Sequence, residues 1–447
     1  MQNILLLGAG QSATSLIQYL LSHAAENDWH LTIGEQNVEL ARQKSGGHPR
    51  ARLITFDIKD AAQVHEEIER ADMVISMLPA MFHGIAAKKC VELGKDMLTA
   101  SYVSDEIKGL DEAFKAKGKH CLMELGLDPG IDHMSAMRVL DNIREEGHQL
   151  IGFESFTGGL LADDQMHDNP WKYKFTWNPR NVVLAGQGYV KFVQEGRYKY
   201  IPYHKLFQRT EVIHIPGYGY FEGYANRDSL KYLDLYNLRG IPTMYRGTLR
   251  RTGFCKGWDL FVQLGATDDT FELERVDTMT HRQFINCFLQ YNPNNSIELK
   301  LAHYLDIGLE SEEMYKLKWL GMFSEELVGL QKGTPAQILE HILKKKWTLT
   351  AEDRDMIVMW HKFDFMDKGV HRQIQSHLVV EGEDPVNTAM AKTVGLPLAI
   401  AARLVLQKKL FKPGVHIPTS KDIYTPILDE LENMGFVMSD REVEVKV

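Results

Sequence analysis

The sequence predicts an α/β fold built on a doubly wound parallel sheet. Two observations carry this: short apolar runs return at a near-constant interval through the first third of the chain, and the stretches between them repeat apolar residues at helical spacing. The runs lie at 4–7, 31–33, 53–56, 73–78, 97–98 and 121–123, with starts 20 to 27 residues apart. Between them, 12–25, 61–68, 84–93 and 106–117 read as helices. Alternating strands and helices imply parallel pairing with helical crossovers. Such sheets bind ligands beyond the carboxyl ends of their strands, so the residues just after each run are where chemistry is expected.

Composition removes other classes. A chain of 447 residues has room for two or three domains at about 150 residues each. Lys plus Arg number 51 against 60 Asp plus Glu, a net charge of −9, and no dense basic run offers a nucleic-acid footprint. No nucleic-acid partner is expected. The apolar stretch 395–406 is too short for a bilayer and contains Arg403, so no membrane segment is expected. Cys90, Cys121, Cys255 and Cys287 show no C-x-x-C spacing and read as buried thiols. The start lacks a basic n-region and a cleavage site, which makes the cytoplasm the default address. The 18 histidines form no H-E-x-x-H or paired helical arrangement, so no metal is expected.

After the first run comes Gly8-Ala9-Gly10-Gln11-Ser12-Ala13, a G-x-G-x-x-A that follows a strand and opens a helix. Gly8 allows the tight turn, Gly10 lets backbone approach a pyrophosphate, and Ala13 keeps the helix close to the strand, its first amides facing the phosphates. A Rossmann-type dinucleotide domain is the expectation. The second run leads to Glu35, a carboxylate placed to accept hydrogen bonds from an adenosine ribose diol. The same charge repels a 2′-phosphate and the first basic residue beyond it is Arg42, so NAD is favoured over NADP. Asp57, after the third run, either approaches the adenine side or has a helix-capping role before Asp60. Leu78 and Pro79, after the fourth, are expected to line the path toward the nicotinamide, although a plain turn explains them almost as well. The fifth and sixth runs end in Thr99-Ala100-Ser101-Tyr102 and Glu124-Leu125-Gly126-Leu127-Asp128-Pro129-Gly130, and Ser101, Leu127, Asp128 and Pro129 complete the expected cofactor contacts.

Five phrases, TASYVS, ELGLDPGIDHM, DNPWKYKFTW, YANRDS and YRGTLR, occur in that order. Together they resemble saccharopine dehydrogenase of the L-glutamate-forming type, also called saccharopine reductase, over nearly the whole chain. The resemblance implies oxidative cleavage of saccharopine to L-glutamate and 2-aminoadipate 6-semialdehyde, or the reverse condensation, in lysine metabolism. It implies a dinucleotide-binding domain over 1–130 with a return of about 385–447. It further implies a mixed α+β substrate and dimerisation domain over 131–275 and about 364–384, and an all-helical insertion over 276–363. The chain's own patterning agrees. The stretch 149–265 is strand-rich, 276–363 is long-period helical with Trp319, Trp347 and Trp360, 372–380 alternates, and 388–410 reads as an apolar helix that packs on the first domain.

The implied reaction transfers a hydride from a secondary-amine carbon to nicotinamide and then hydrolyses the imine, which needs one positioned acid or base. Tyr102 and Asp128 are the first candidates, with Glu124 and His133 behind them. Asp128 reads equally as a cap for a helix starting near Gly130, and His133 as a satisfied helix residue. The three carboxylates of saccharopine call for guanidinium partners. By the resemblance Arg227 and Arg246 match substrate-binding positions, together with Ser101, Tyr102, Gly247 and Thr248. Lys174, between aromatics, stays open as a carboxylate ligand, a proton shuttle or a snorkelling surface lysine. Thr157 stands where the family usually has Cys and Leu161 where it has Pro, leaving room for a change in the pocket. With the first strand starting at once, a stand-alone enzyme without a reductase module is expected. The alternatives are a carboxynorspermidine dehydrogenase-type polyamine enzyme, which two motif arginines disfavour, and a non-catalytic NAD-binding member, which the intact motifs disfavour. A homodimer through the insertion or a strand edge and a monomer both agree with the sequence.

Overall fold

The six apolar runs of the first third become the strands β1 (Gln2–Leu7), β2 (Trp29–Glu35), β3 (Ala51–Thr55), β4 (Met73–Ser76), β5 (Asp96–Leu98) and β6 (His120–Leu122). Between and after them lie α1 (Thr14–Ser22), α2 (Val38–Ser45), α3 (Ala61–Arg70), α4 (His83–Leu93), α5 (Asp105–Lys108), α6 (Asp111–Ala116) and α7 (Ile131–Glu145). Local chemistry sets the ends. Asn37 caps α2 by accepting from Glu39 N at 3.2 Å, and the helix closes on Gly46 in the left-handed region. Asp60 caps α3, its Oδ1 accepting from Ala62 N at 3.0 Å and Gln63 N at 3.1 Å.

The computed structural model describes residues 1–165 and 168–445, which fall into two units, Met1–Leu150 with Phe365–Val447, and Ile151–Asp364. The second carries β7 (Gln149–Leu161), α8 (Pro179–Val183), β8 (Tyr189–Gln194), β9 (Arg197–Pro202), α9 (Tyr203–Leu206), β10 (Thr210–Ile215), β11 (Gly219–Ala225), α10 (Tyr232–Leu235), β12 (Thr243–Arg251) and α11 (Phe254–Leu264). Then follow α12 (His281–Asn286), α13 (Ile297–Leu305), α14 (Glu312–Trp319), α15 (Pro335–Trp347) and β13 (Asp355–Asp367). The return to the first unit brings β14 (Val370–Glu381), α16 (Ala389–Leu406), β15 (Gly414–His416), α17 (Lys421–Asn433) and β16 (Ser439–Glu444).

The first unit holds a seven-stranded parallel sheet in the order β15-β6-β5-β4-β1-β2-β3. Its strand order reverses between β1 and β4, the place where such sheets open a crevice for ligands. The return helix α16, capped by Thr388, packs on α1 so closely that a Cβ on Gly395 would lie 2.7 Å from Leu16 N. Among the described residues α16 is the one helix long and apolar enough to cross a membrane, and most of it is buried within the fold. In the second unit β12 runs parallel to β7 and antiparallel to β11. Its core is aromatic: Trp171, Tyr173, Phe254, Trp258 and Trp347 contact one another with ring centroids 5.1 to 6.1 Å apart.

The sequence reading differs from this structure in three places. The boundaries fall at Leu150 and Phe365 rather than near 130 and 385. The stretch 276–363 is not all helix, since β13 begins at Asp355 and carries Trp360, while Trp347 ties α15 into the aromatic core of the second unit. Cys90, Cys121 and Cys255 are buried, but Cys287, the residue that ends α12, is exposed.

Candidate functional site

The loops after β1 and β4 meet at the switch point. Gly8 has φ +94°, and a Cβ there would sit 2.9 Å from Met77 O and 3.4 Å from Leu78 N, so both its conformation and its neighbours demand glycine. Gly10 is different. Its φ of −60° suits any residue, and a Cβ would meet nothing within 4 Å. The protein leaves this space open, which fits a backbone surface reserved for a pyrophosphate. Gln11, Ser12 and Ala13 then form a short turn that leads into α1, with Ala13 buried and its N–H donating to Gly10 O at 3.0 Å. Leu78 is half-buried and Pro79 exposed at the same rim.

Glu35 does not stand free at the end of β2. Its Oε2 accepts from Ala9 N at 2.7 Å and its Oε1 from Asn37 N at 3.3 Å. Lys44, at the end of α2, donates its ammonium to Gly10 O. Burial of that amine brings its pKa down to about 8 against the opposing pull of Glu35. Asp57 is exposed and its carboxylate accepts from Lys59 N at 2.9 Å, while the cap of α3 is Asp60.

Beyond β5 and β6 the two candidate proton-transfer residues come together: Tyr102 Oη donates to Asp128 Oδ1 at 3.0 Å. Gly130 is the N-cap residue of α7 and offers no side-chain cap, and its N–H donates to Asp132 Oδ1 at 2.6 Å. The turn containing Leu127 and Pro129 is closed by Gly126 N donating to Pro129 O at 2.9 Å and Ile131 N to Gly126 O at 2.8 Å. A Cβ on Gly130 would fall 2.0 Å from Gly126 O. Glu124 and His133 are buried behind this rim and bonded to each other at 2.7 Å, and Glu124 Oε1 also accepts from Val103 N at 3.0 Å. That pair braces the loops.

A second buried bridge escaped sequence reasoning. His83, at the start of α4, has Nδ1 2.8 Å from Ser76 Oγ and Nε2 2.7 Å from Ser101 Oγ. The imidazole is buried, which pushes its pKa down to about 4. It is therefore neutral at physiological pH and fixes the direction of the Ser101 hydroxyl. Ser76 ends β4 and His83 opens α4 across one connection, whereas Ser101 lies in the loop after β5, so the strand-end reading did not join them.

In the second unit, Arg246 is buried on β12, its guanidinium 4.0 Å above the Tyr232 ring and its backbone N–H donating to Ser229 Oγ at 3.0 Å. Arg227 is exposed in the turn after β11, with φ +51°. Gly247 pairs with Phe156 of β7, and Thr248 pairs with Tyr224 of β11 and Thr157 of β7. Thr157 Oγ1 is buried without a hydrogen-bond partner. Lys174 is held in an ion pair with Asp353 at 2.5 Å.

Two family models match this chain: the saccharopine dehydrogenase NADP binding domain over residues 4–122 and the saccharopine dehydrogenase C-terminal domain over residues 126–436. The mitochondrial alpha-aminoadipic semialdehyde synthase of Rattus norvegicus is 31% identical over 445 residues, covering 98% of this chain and 47% of that protein. The chain thus spans about half the length of that relative. A saccharopine dehydrogenase (NADP(+), L-glutamate-forming) of Schizosaccharomyces pombe is 30% identical over 454 residues, covering 99% of this chain and 100% of the relative. Among solved structures, apo saccharopine dehydrogenase (L-Glu forming) from Saccharomyces cerevisiae matches with a TM-score of 0.89 and 28% identity, over 99% of this chain and 100% of that one.

These findings correct the expected preference for NAD. The matched model is that of an NADP binding domain and the S. pombe relative is named for NADP(+). The structure supplies a physical reason. Glu35 is engaged by backbone amides, and Lys44, which lies beyond the Arg42 at which the sequence reading stopped, is carried back by α2 to the glycine loop. From the phrases in register to the fold and the two matched domain models, the findings agree that the chain belongs to the saccharopine dehydrogenase family.

Proposed function

We propose that this chain catalyses the NADP+-dependent oxidative cleavage of saccharopine to L-glutamate and 2-aminoadipate 6-semialdehyde, or the reverse condensation, as a step of lysine metabolism. The observation that carries the reading is the Tyr102–Asp128 hydrogen bond at the carboxyl ends of a parallel sheet whose Gly10 leaves a dinucleotide cradle open. The names of the full-length relatives support the substrate and the cofactor.

When bound, the nicotinamide supplies the hydride acceptor. The chain's part is binding, orientation and proton transfer. Gly10, Gln11 and Ser12 present backbone amides to the pyrophosphate. Neutral His83 holds the Ser101 hydroxyl in place beside Tyr102. With a carboxylate accepting its hydrogen bond, the Tyr102 phenol is positioned to exchange a proton with the amine nitrogen or with the water that attacks the imine. Arg246 offers a planar, permanently charged partner to a substrate carboxylate, already oriented by stacking on Tyr232, and Arg227 offers a second from an exposed turn.

The test is product analysis with the purified chain, saccharopine and NADP+. L-glutamate should appear in step with NADPH. NADPH formed without glutamate, or no reaction while the dinucleotide still binds, overturns the substrate assignment.

A further inference from the structure

We propose that Lys44 is the residue that selects the 2′-phosphorylated cofactor, its ammonium meeting the 2′-phosphate at the ribose edge of the glycine loop. The inference rests on the NADP+ reading above and assigns it to a side chain.

Two landmarks fix the position. A carboxylate at the end of the second strand marks the adenosine ribose in folds of this type, and the second glycine of the loop lies beside it. Lys44 answers to both: its Nζ donates to Gly10 O, and the Glu35 carboxylate acts on its charge. The space beside Gly10 is open, so an incoming anion can approach without displacing protein atoms.

Charge accounting points the same way. Glu35 alone would repel a 2′-phosphate, but its oxygens already accept from Ala9 and Asn37 amides, and Lys44 offsets its charge. The nearby arginines are committed elsewhere: Arg42 to Glu39, Arg50 to Asp28 and Arg52 to Glu67. Among the described residues the Lys44 ammonium is held by a backbone carbonyl, a contact that a phosphate can replace with a charge-assisted bond. The titratable groups on elements packed against α2 are His30 and Glu35 on β2, Arg52 on β3 and Tyr19 on α1. Tyr19 is bonded to Glu430 and Arg403, and Glu35 is the group that acts on Lys44.

The test measures binding of dinucleotide fragments to the intact purified chain by titration calorimetry, comparing 2′,5′-ADP with 5′-ADP and NADP+ with NAD+. Lys44→Met should weaken the two 2′-phosphorylated ligands by about ten- to a hundredfold and change the other two by less than about twofold. Lys44→Arg should keep most of the preference. As pH rises through about 8 the free ammonium loses its proton, so wild-type affinity for 2′,5′-ADP should fall toward that of Lys44→Met, whereas Lys44→Arg holds level. Glu35→Gln keeps an acceptor for Ala9 N and removes a competing charge, so it should tighten 2′,5′-ADP even if the lysine variants fold poorly. Equal weakening of all four ligands by Lys44→Met, or no gain from Glu35→Gln, overturns the assignment. A wild-type chain that does not distinguish the paired ligands overturns the NADP+ reading instead.

Discussion

Beside Gly10, in the turn after β1, a methyl group would meet nothing within 4 Å, whereas beside Gly247, in the middle of β12, it would lie 2.2 Å from the Phe156 ring and 2.6 Å from Tyr224 O. Gly10 belongs to the glycine-rich turn and Gly247 to the phrase YRGTLR, yet only the first leaves room for something other than protein. The first unit gathers backbone and hydroxyl groups at the proposed site, where Glu35 and Asp128 accept from internal donors. The second holds the Arg246 guanidinium over the Tyr232 ring on a strand and carries Arg227 in an exposed turn. Of these two glycines, the first has room beside it for a ligand and the second is closed in by packing.

The largest test of this contrast removes the charge from the second unit. Arg246→Ala should reduce kcat/KM for saccharopine by about a hundredfold or more, on the order of 3 kcal/mol, because it strips a desolvated cation from a carboxylate. NADP+ affinity, measured separately by fluorescence quenching, should stay unchanged. A loss of cofactor affinity of similar size would erase the division of labour between the units.

The glycines can be set against each other directly. Gly247→Ala should lower the melting temperature by about 2–8 °C, since the added methyl must push into Phe156 or backbone. Gly10→Ala should leave it within about 1 °C, as its φ and its surroundings tolerate a side chain. It should nonetheless weaken dinucleotide binding by at least about tenfold. A drop in melting temperature for Gly10→Ala would mean that the open space has a structural use.

A further test concerns the rim of the first unit. Burial holds the pKa of His83 at about 4, below its ordinary value, so the unfolded chain binds a proton at this residue more readily than the folded one. The stability present above the ordinary histidine pKa is lost as pH falls from about 6.5 to about 4, a total on the order of 3 kcal/mol. His83→Gln should flatten that part of the acid unfolding curve. Parallel curves for variant and parent would show that the bridge opens before it titrates.

Much of the first unit was legible because its strands are buried on both faces and read as unbroken apolar runs, as in Ile4, Leu5, Leu6 and Leu7. β15 was not, since three residues, two of them only half-buried, make no pattern. β13 was absorbed into a helical stretch for the opposite reason. Its first seven residues are all buried, which removes the alternation that identifies a strand. Within the site, the Tyr102–Asp128 pair was reachable because both residues end consecutive parallel strands. The His83 bridge and the position of Lys44 depend on how a helix folds back over a loop. Charge order along the chain does not encode that, and for this reason Glu35 read by itself gave the wrong cofactor.

The three residues of β15 also set a timetable for folding. β15 extends the dinucleotide sheet by pairing with β6 across nearly 300 residues of chain, Val415 opposite Cys121, and the intervening second unit is a continuous segment. Domains fold as units while the chain emerges from the ribosome. The second unit can therefore complete its core first, whereas the cofactor sheet begins early and closes only after Gly414 to His416 have been made. During that interval β6 remains an open edge, the kind of unpaired strand that a chaperone shields.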